Sequence, residues 1–204
     1  MFRLRRWAAA SVVRVPAGGG LTIRSSRHRG LIQALGSKGD YVEHRYLKIA
    51  LTLAVALQAL FWFGTNLINW DVAQGAVGYV LSQEDHLGYP NHLVPPVTSP
   101  LIITVVLLTI LVGEAAAGGL ALLGTYRLWR ARNASPEIFT SAKGPAVLGS
   151  GIAVLVWFLL FAVLGGALYQ MGQAEGTRGA LEGAFRFAGY SFFTLIYLSI
   201  SEPR

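Results

Sequence analysis

The sequence predicts an all-α membrane protein with four transmembrane helices, and three observations carry that reading. Apolar residues make up 53% of the 204-residue chain and charged residues only 13%, against about a quarter charged in soluble domains. Four stretches, near 46–68, 100–129, 145–171 and 181–200, are apolar over the roughly 20 residues a helix needs to cross the hydrocarbon at about 1.5 Å per residue. The basic residues sort by segment. Ten of the 17 Lys/Arg lie in residues 1–48, four more (Arg127, Arg130, Arg132, Lys143) follow the second stretch, and the connection 69–99 has none. By the positive-inside rule both termini and the 127–143 connection lie on the cytoplasmic (or matrix) side. The net charge of +7 is therefore a topology signal, and nucleic acid is not expected as a partner. Cysteine is absent, which excludes disulfides, thiolate metal sites and iron–sulfur ligation.

Residues 1–45 form a basic segment apart from the membrane domain, 46–204. They contain no acid before Asp40 and no run long enough to span. Two readings fit: a retained basic tail on a bacterial inner-membrane protein, or an Arg- and Ser-bearing mitochondrial presequence. Phe2, Leu4, Trp7, Val12 and Val13 among the arginines also suit a short interfacial helix on anionic lipid.

Tyr46 to Ile68 is the first span. Lys48 stands at its entrance, and Phe61, Trp62, Phe63 and Trp70 at its far end suit an interfacial aromatic belt. Gln58 is its one strongly polar interior residue and is read as an interhelical hydrogen-bonding group.

Asn69 to Ser99 carries Asp71, Glu84 and Asp85 and no cation, so it belongs on the outer side. Val72, Ala76, Val77, Val80 and Leu81 recur at helical spacing with Asp71 as a cap, which predicts a short amphipathic helix on the membrane surface. Gly88-Tyr89-Pro90-Asn91 and Pro95-Pro96 then break regular structure. Asp85, His86 and His92 match no compact metal-ligand motif, and no metal site is expected.

The second span opens on Pro100, a favoured first helical residue. Its only acidic residue is Glu114, near mid-depth. A carboxylate there costs about 2.5–3.5 kcal/mol on insertion scales, so it faces protein or water and often marks function. Leu111, Glu114, Gly118, Ala121 and Thr125 share one face. Gly113, Ala117 and Ala121, and Ala115 and Gly119, are further small residues four apart, the pattern of close helix packing. Glu114 is thus expected protonated and hydrogen-bonded between helices.

Ser135-Pro136-Glu137 predicts a brief cytoplasmic helix through Phe139 to Lys143. Pro145 to Met171 is the third span, and Gly172 to Ala180 a polar turn. Leu181 to Ile200 is the fourth, with Glu182 and Arg186 spaced for a helical ion pair and Arg186 free to snorkel as an anchor.

A set of residues scattered along the membrane domain carries a resemblance. They are Asn66, Val77–Leu81, Glu114, Leu123-Gly124, Arg127-Leu128-Trp129-Arg130-Ala131, Phe139, Ala142-Lys143, Trp157-Phe158 with Phe161, Gly165-Gly166, and Ala184-Phe185-Arg186-Phe187. In these the chain resembles the bacterial "predicted small integral membrane protein" family, a domain of unknown function numbered 2165. The resemblance covers about three quarters of the chain and implies a four-helix membrane fold with no assigned reaction. Two departures stand out: Ala167–Met171 replaces the family's acidic–aromatic stretch after the glycine pair, and residues 1–45 fall outside the pattern.

No Ser/His/Asp set, phosphate-binding glycine loop or metal-ligand cluster is visible. His28, His44, His86 and His92 lie outside the four stretches, so no intramembrane pair exists to hold a b-type haem. The expectation is a non-enzymatic integral membrane protein without cofactor or identifiable small-molecule substrate. It would contact lipid and other membrane subunits as an accessory or assembly component of a larger respiratory or photosynthetic complex. The alternative is a small transporter or proton relay using Glu114 with Gln58 or a tyrosine nearby. The expected site is the bacterial inner membrane, or alternatively the mitochondrial inner membrane.

Overall fold

The computed structural model describes residues 24–202 apart from Leu87 and Pro90, with side-chain surroundings from Glu43 onward. The chain divides into Met1–Lys38 and Gly39–Arg204, and the side-chain contacts described below all lie in the second unit. The expected interfacial helix at Phe2–Val13 lies outside the described residues.

Among the described residues six α-helices follow in order: α1 (Arg24–Ile68), α2 (Trp70–Ser82), α3 (Pro100–Ala131), α4 (Pro136–Ala142), α5 (Gly144–Val154) running into a π-helical segment (Leu155–Leu168), and α6 (Glu175–Ser199). No strand occurs among the described residues. Among the described residues three stretches are long and apolar enough to cross a membrane: Glu43–Ile68, Pro100–Ala131 and Pro136–Leu168. α6 is not among them. Glu175, Arg178, Glu182 and Arg186 make its first half polar, although it packs along α5 and the π segment.

The bundle closes where glycine lets backbones meet. At Gly149 an added Cβ would fall on the backbone of Ala121 and Ala117 of α3, and at Gly124 on that of Ala146 of α5. Where no hydrophobic force separates helix from lipid, such close approach supplies the packing energy. Around these contacts Val55, Ala56 and Ala59 of α1, Ala117 and Ala121, Ala153, Val156 and Trp157, and Ala184 and Ala188 form one core. A second core joins Ile49, Leu128, Ala131, Phe139, Ala146 and Leu198 at the basic end.

The sequence-based boundaries move in several places. α2 is capped at Asn69 and not by Asp71, which sits in its first turn; Asn69 Nδ2 instead donates 2.8 Å to the Thr65 carbonyl. α2 also leans on α3, through Gly78 against Ile103 and Gln74 Nε2 donating 2.7 Å to Thr104 Oγ1. Thr125 of the expected α3 face is only half-buried and bonds its own helix at the Ala121 carbonyl. The third span ends at Leu168, short of Met171. The Tyr169 N–H closes on the Leu164 carbonyl at 2.9 Å and Gln170 turns left-handed. The predicted polar turn 172–180 is largely helix, because Glu175 suits a helix N-terminus and Thr177 Oγ1 bonds back to the Met171 carbonyl at 2.5 Å. The i→i+5 winding of 155–168 was not foreseen: that stretch is apolar on every side, so no 3.6-residue period exists there to be seen broken.

Candidate functional site

Two buried polar centres occupy the bundle, one at mid-depth and one at the basic end. At mid-depth Glu114 is 1% exposed. Asn66 Nδ2 of α1 donates to both of its oxygens, at 3.3 Å (Oε1) and 3.1 Å (Oε2). α1 and α3 run antiparallel with Gly118 seated against Leu60, and one to two turns further along both helices that register brings Glu114 to Asn66. Gln58 is eight residues from Asn66, about 12 Å along a helix, and does not reach Glu114. Its Nε2 is buried without a partner among the described residues, so that nitrogen makes no interhelical hydrogen bond there. Asn66 was visible in the sequence as a polar residue near the end of a span, but only the helix register makes it the partner.

Asn66 is worth testing directly. Asn66→Leu would strip the only described side-chain partner from a buried carboxyl, which costs on the order of 1–3 kcal/mol. We expect a matching fall in thermal stability in detergent, and the double change with Glu114→Leu should recover most of it.

Above the basic end, Trp62, Phe187 and Trp157 form an aromatic layer, with ring centroids 5.8 Å apart in both the Trp62–Phe187 and the Trp157–Phe187 pair. One turn from Trp62 toward the basic end is Gln58, and one turn from Phe187 is Ser191. Ser191 Oγ and Ser150 Oγ of α5 are buried and, like Gln58 Nε2, unpartnered among the described residues.

The basic end itself was not anticipated as a site. Arg45 and Lys48 of α1, Lys143 between α4 and α5, and Glu202 beyond α6 are all buried. Lys48 Nζ and Lys143 Nζ lie 2.6 and 2.7 Å from Glu202 Oε1, and Arg45 Nε lies 3.7 Å from Oε2. Both lysines also donate to the Ile200 carbonyl, at 3.1 and 2.8 Å. Arg45 Nη1 ties down the turn after α3 through the Arg132 and Ala134 carbonyls at 2.9 and 2.7 Å, and its guanidinium covers the Phe139 ring at 4.7 Å. Burial pushes the Glu202 carboxyl up, but the hydrogen bonds and charges of Lys143 and Lys48 outweigh it and hold the group below 4.5. Nothing in the local sequence reveals this cluster, whose members lie up to 157 positions apart.

The remaining candidates are peripheral. Arg186 pairs with Glu182 at 3.7 Å, both well exposed, an arrangement worth a few tenths of a kcal/mol. His86 and His92 do meet, ring centroids 5.2 Å apart, and burial together with the charge of His92 lowers the His86 pKa. Asp85 instead accepts from the Tyr79 hydroxyl at 3.1 Å, and no group of three metal-ligating side chains occurs among the described residues.

No curated protein and no solved structure matches the chain. The family described as "Predicted small integral membrane protein (DUF2165)" matches residues 44–201. That match takes in the three apolar stretches (all but Glu43), α6, the Glu114–Asn66 pair and three of the four members of the basic cluster. The chain belongs to this family of predicted small integral membrane proteins.

Proposed function

We propose that the protein is a non-enzymatic accessory or assembly subunit of the bacterial inner membrane, packing against a larger membrane complex. In this reading α6 is the fourth crossing and the basic ends face the cytoplasm, consistent with the Lys/Arg distribution.

The observation that carries the proposal is the outward face of α3. Leu108, Val112, Leu122 and Tyr126 form an exposed, bulky stripe. Ala115 and Gly119 lie in its middle, four residues apart, and a Cβ at Gly119 would meet nothing within 4 Å. The pair is a notch that the described helices leave open at Gly119, shaped for close approach of another helix. Gly119→Leu fills the notch without touching the bundle. The variant should fold with unchanged thermal stability and lose the larger assembly recovered from mild detergent. A wild-type protein that purifies as a clean monomer would sink the proposal.

The aromatic layer weighs against a proton relay, since Trp62, Phe187 and Trp157 stand between the Glu114–Asn66 pair and the polar groups below. Glu114→Gln is accordingly expected to leave ion and solute fluxes in proteoliposomes unchanged.

A further inference from the structure

We propose that the basic end of the bundle binds a phosphate-bearing anion at Arg45, Lys48 and Lys143, supplied by the headgroup of an anionic membrane lipid. This stands apart from the subunit reading and rests on different residues.

The cluster is out of charge balance. Among the described residues three cations, each at least nine-tenths buried, share one carboxylate. The other acceptors around them are the carbonyls of Ile200, Arg132 and Ala134, which carry partial charge only. Among the described residues two formal positive charges remain, and an unpaired buried charge is far more costly than a paired one. A donor is also left over. Arg45 Nε is buried with no hydrogen-bond partner, and its 3.7 Å to Glu202 Oε2 exceeds the hydrogen-bonding range of about 2.7–3.2 Å. A phosphate group answers both needs: its several oxygens accept from a guanidinium and ammonium groups together, and its charge supplies what Glu202 alone does not.

Position identifies the source. The rim beside the cluster has an interfacial composition, with Tyr46 edge-on to Trp129 at 6.0 Å, Arg132 over Trp129 at 4.4 Å and Arg130 over Tyr126 at 6.0 Å. Aromatic side chains interleaved with arginine sit at headgroup depth. The phosphates met there are those of lipid.

The test uses the full chain, delipidated in neutral detergent. Lipid retention by native mass spectrometry and the thermal midpoint are followed on adding phosphatidylglycerol, phosphatidylcholine or inorganic phosphate. Phosphatidylglycerol should be retained about tenfold over phosphatidylcholine and raise the midpoint, with the preference shrinking at high salt. Equal retention of the two lipids with no effect of phosphate overturns the proposal. Protection by inorganic phosphate alone, to the same degree, upholds the phosphate site and overturns its lipid source. Glu202→Gln removes the carboxylate that competes for these cations among the described residues and should tighten phosphatidylglycerol binding several-fold; unchanged or weaker binding would show that the cluster only fastens the fold. If that variant does not fold, the wild-type titrations decide.

Discussion

Replacing Glu202 with leucine is expected to destabilise the protein by about 3–5 kcal/mol, the usual cost of stranding buried charge by removing its partner. Glu202 is the shared acceptor for Lys48, Lys143 and, at longer range, Arg45. Those residues come from α1, from the α4–α5 junction and from the segment after α6, so one carboxylate holds three parts of the bundle. Chemical or thermal unfolding in detergent measures the loss, and a change below about 1 kcal/mol would place the ion pairs with weak surface pairs. Acid does the same reversibly. Because the folded pKa lies below 4.5, this contribution is fully present above pH about 4.5 and is lost as pH falls through the folded value. Glu202→Leu should abolish that part of the pH dependence.

Gly149→Val is expected to cost at least the 1–3 kcal/mol typical of an overpacked core. The atoms an added Cβ would strike are backbone atoms of Ala117 and Ala121, which no rotamer change can move aside. α3 and α5 must separate, and the contact at Gly124 against Ala146 opens with them. Gly151, two residues away, meets nothing within 4 Å, so Gly151→Val is the control and should unfold close to wild type. Equal losses in the two variants would mean that intrinsic helix propensity, and not the α3–α5 contact, sets the effect.

Particular residues show how far the chain could be read without coordinates. Glu114 stood out as a lone carboxyl in an apolar run, and its neighbours Leu111, Gly118 and Ala121 correctly marked the buried face of α3. The same periodicity could not separate Gly118, seated on Leu60, from Gly119, which meets nothing. Both are small, and spacing alone does not say which stripe has a partner. Gln58 was the more obvious polar candidate on α1, yet Asn66 holds Glu114, because the offset between two antiparallel helices is set by where their backbones meet. Glu202 carries no signal of its own in the sequence. Its importance depends on cations at positions 45, 48 and 143 that fold onto it.

The sequence by itself determined that this is an all-helical integral membrane protein, and its lone acid pointed to a carboxyl buried in the second apolar stretch; its count of four crossings went beyond the three stretches long and apolar enough among the described residues. These are properties of single segments, decided by length, apolarity and the cost of charge in hydrocarbon. Only the tertiary structure decided that Asn66 is the partner of that carboxyl, that glycines 124 and 149 carry the α3–α5 contact, and that Glu202 gathers Arg45, Lys48 and Lys143. Those are properties of pairs far apart in the chain, fixed by the register at which the helices pack.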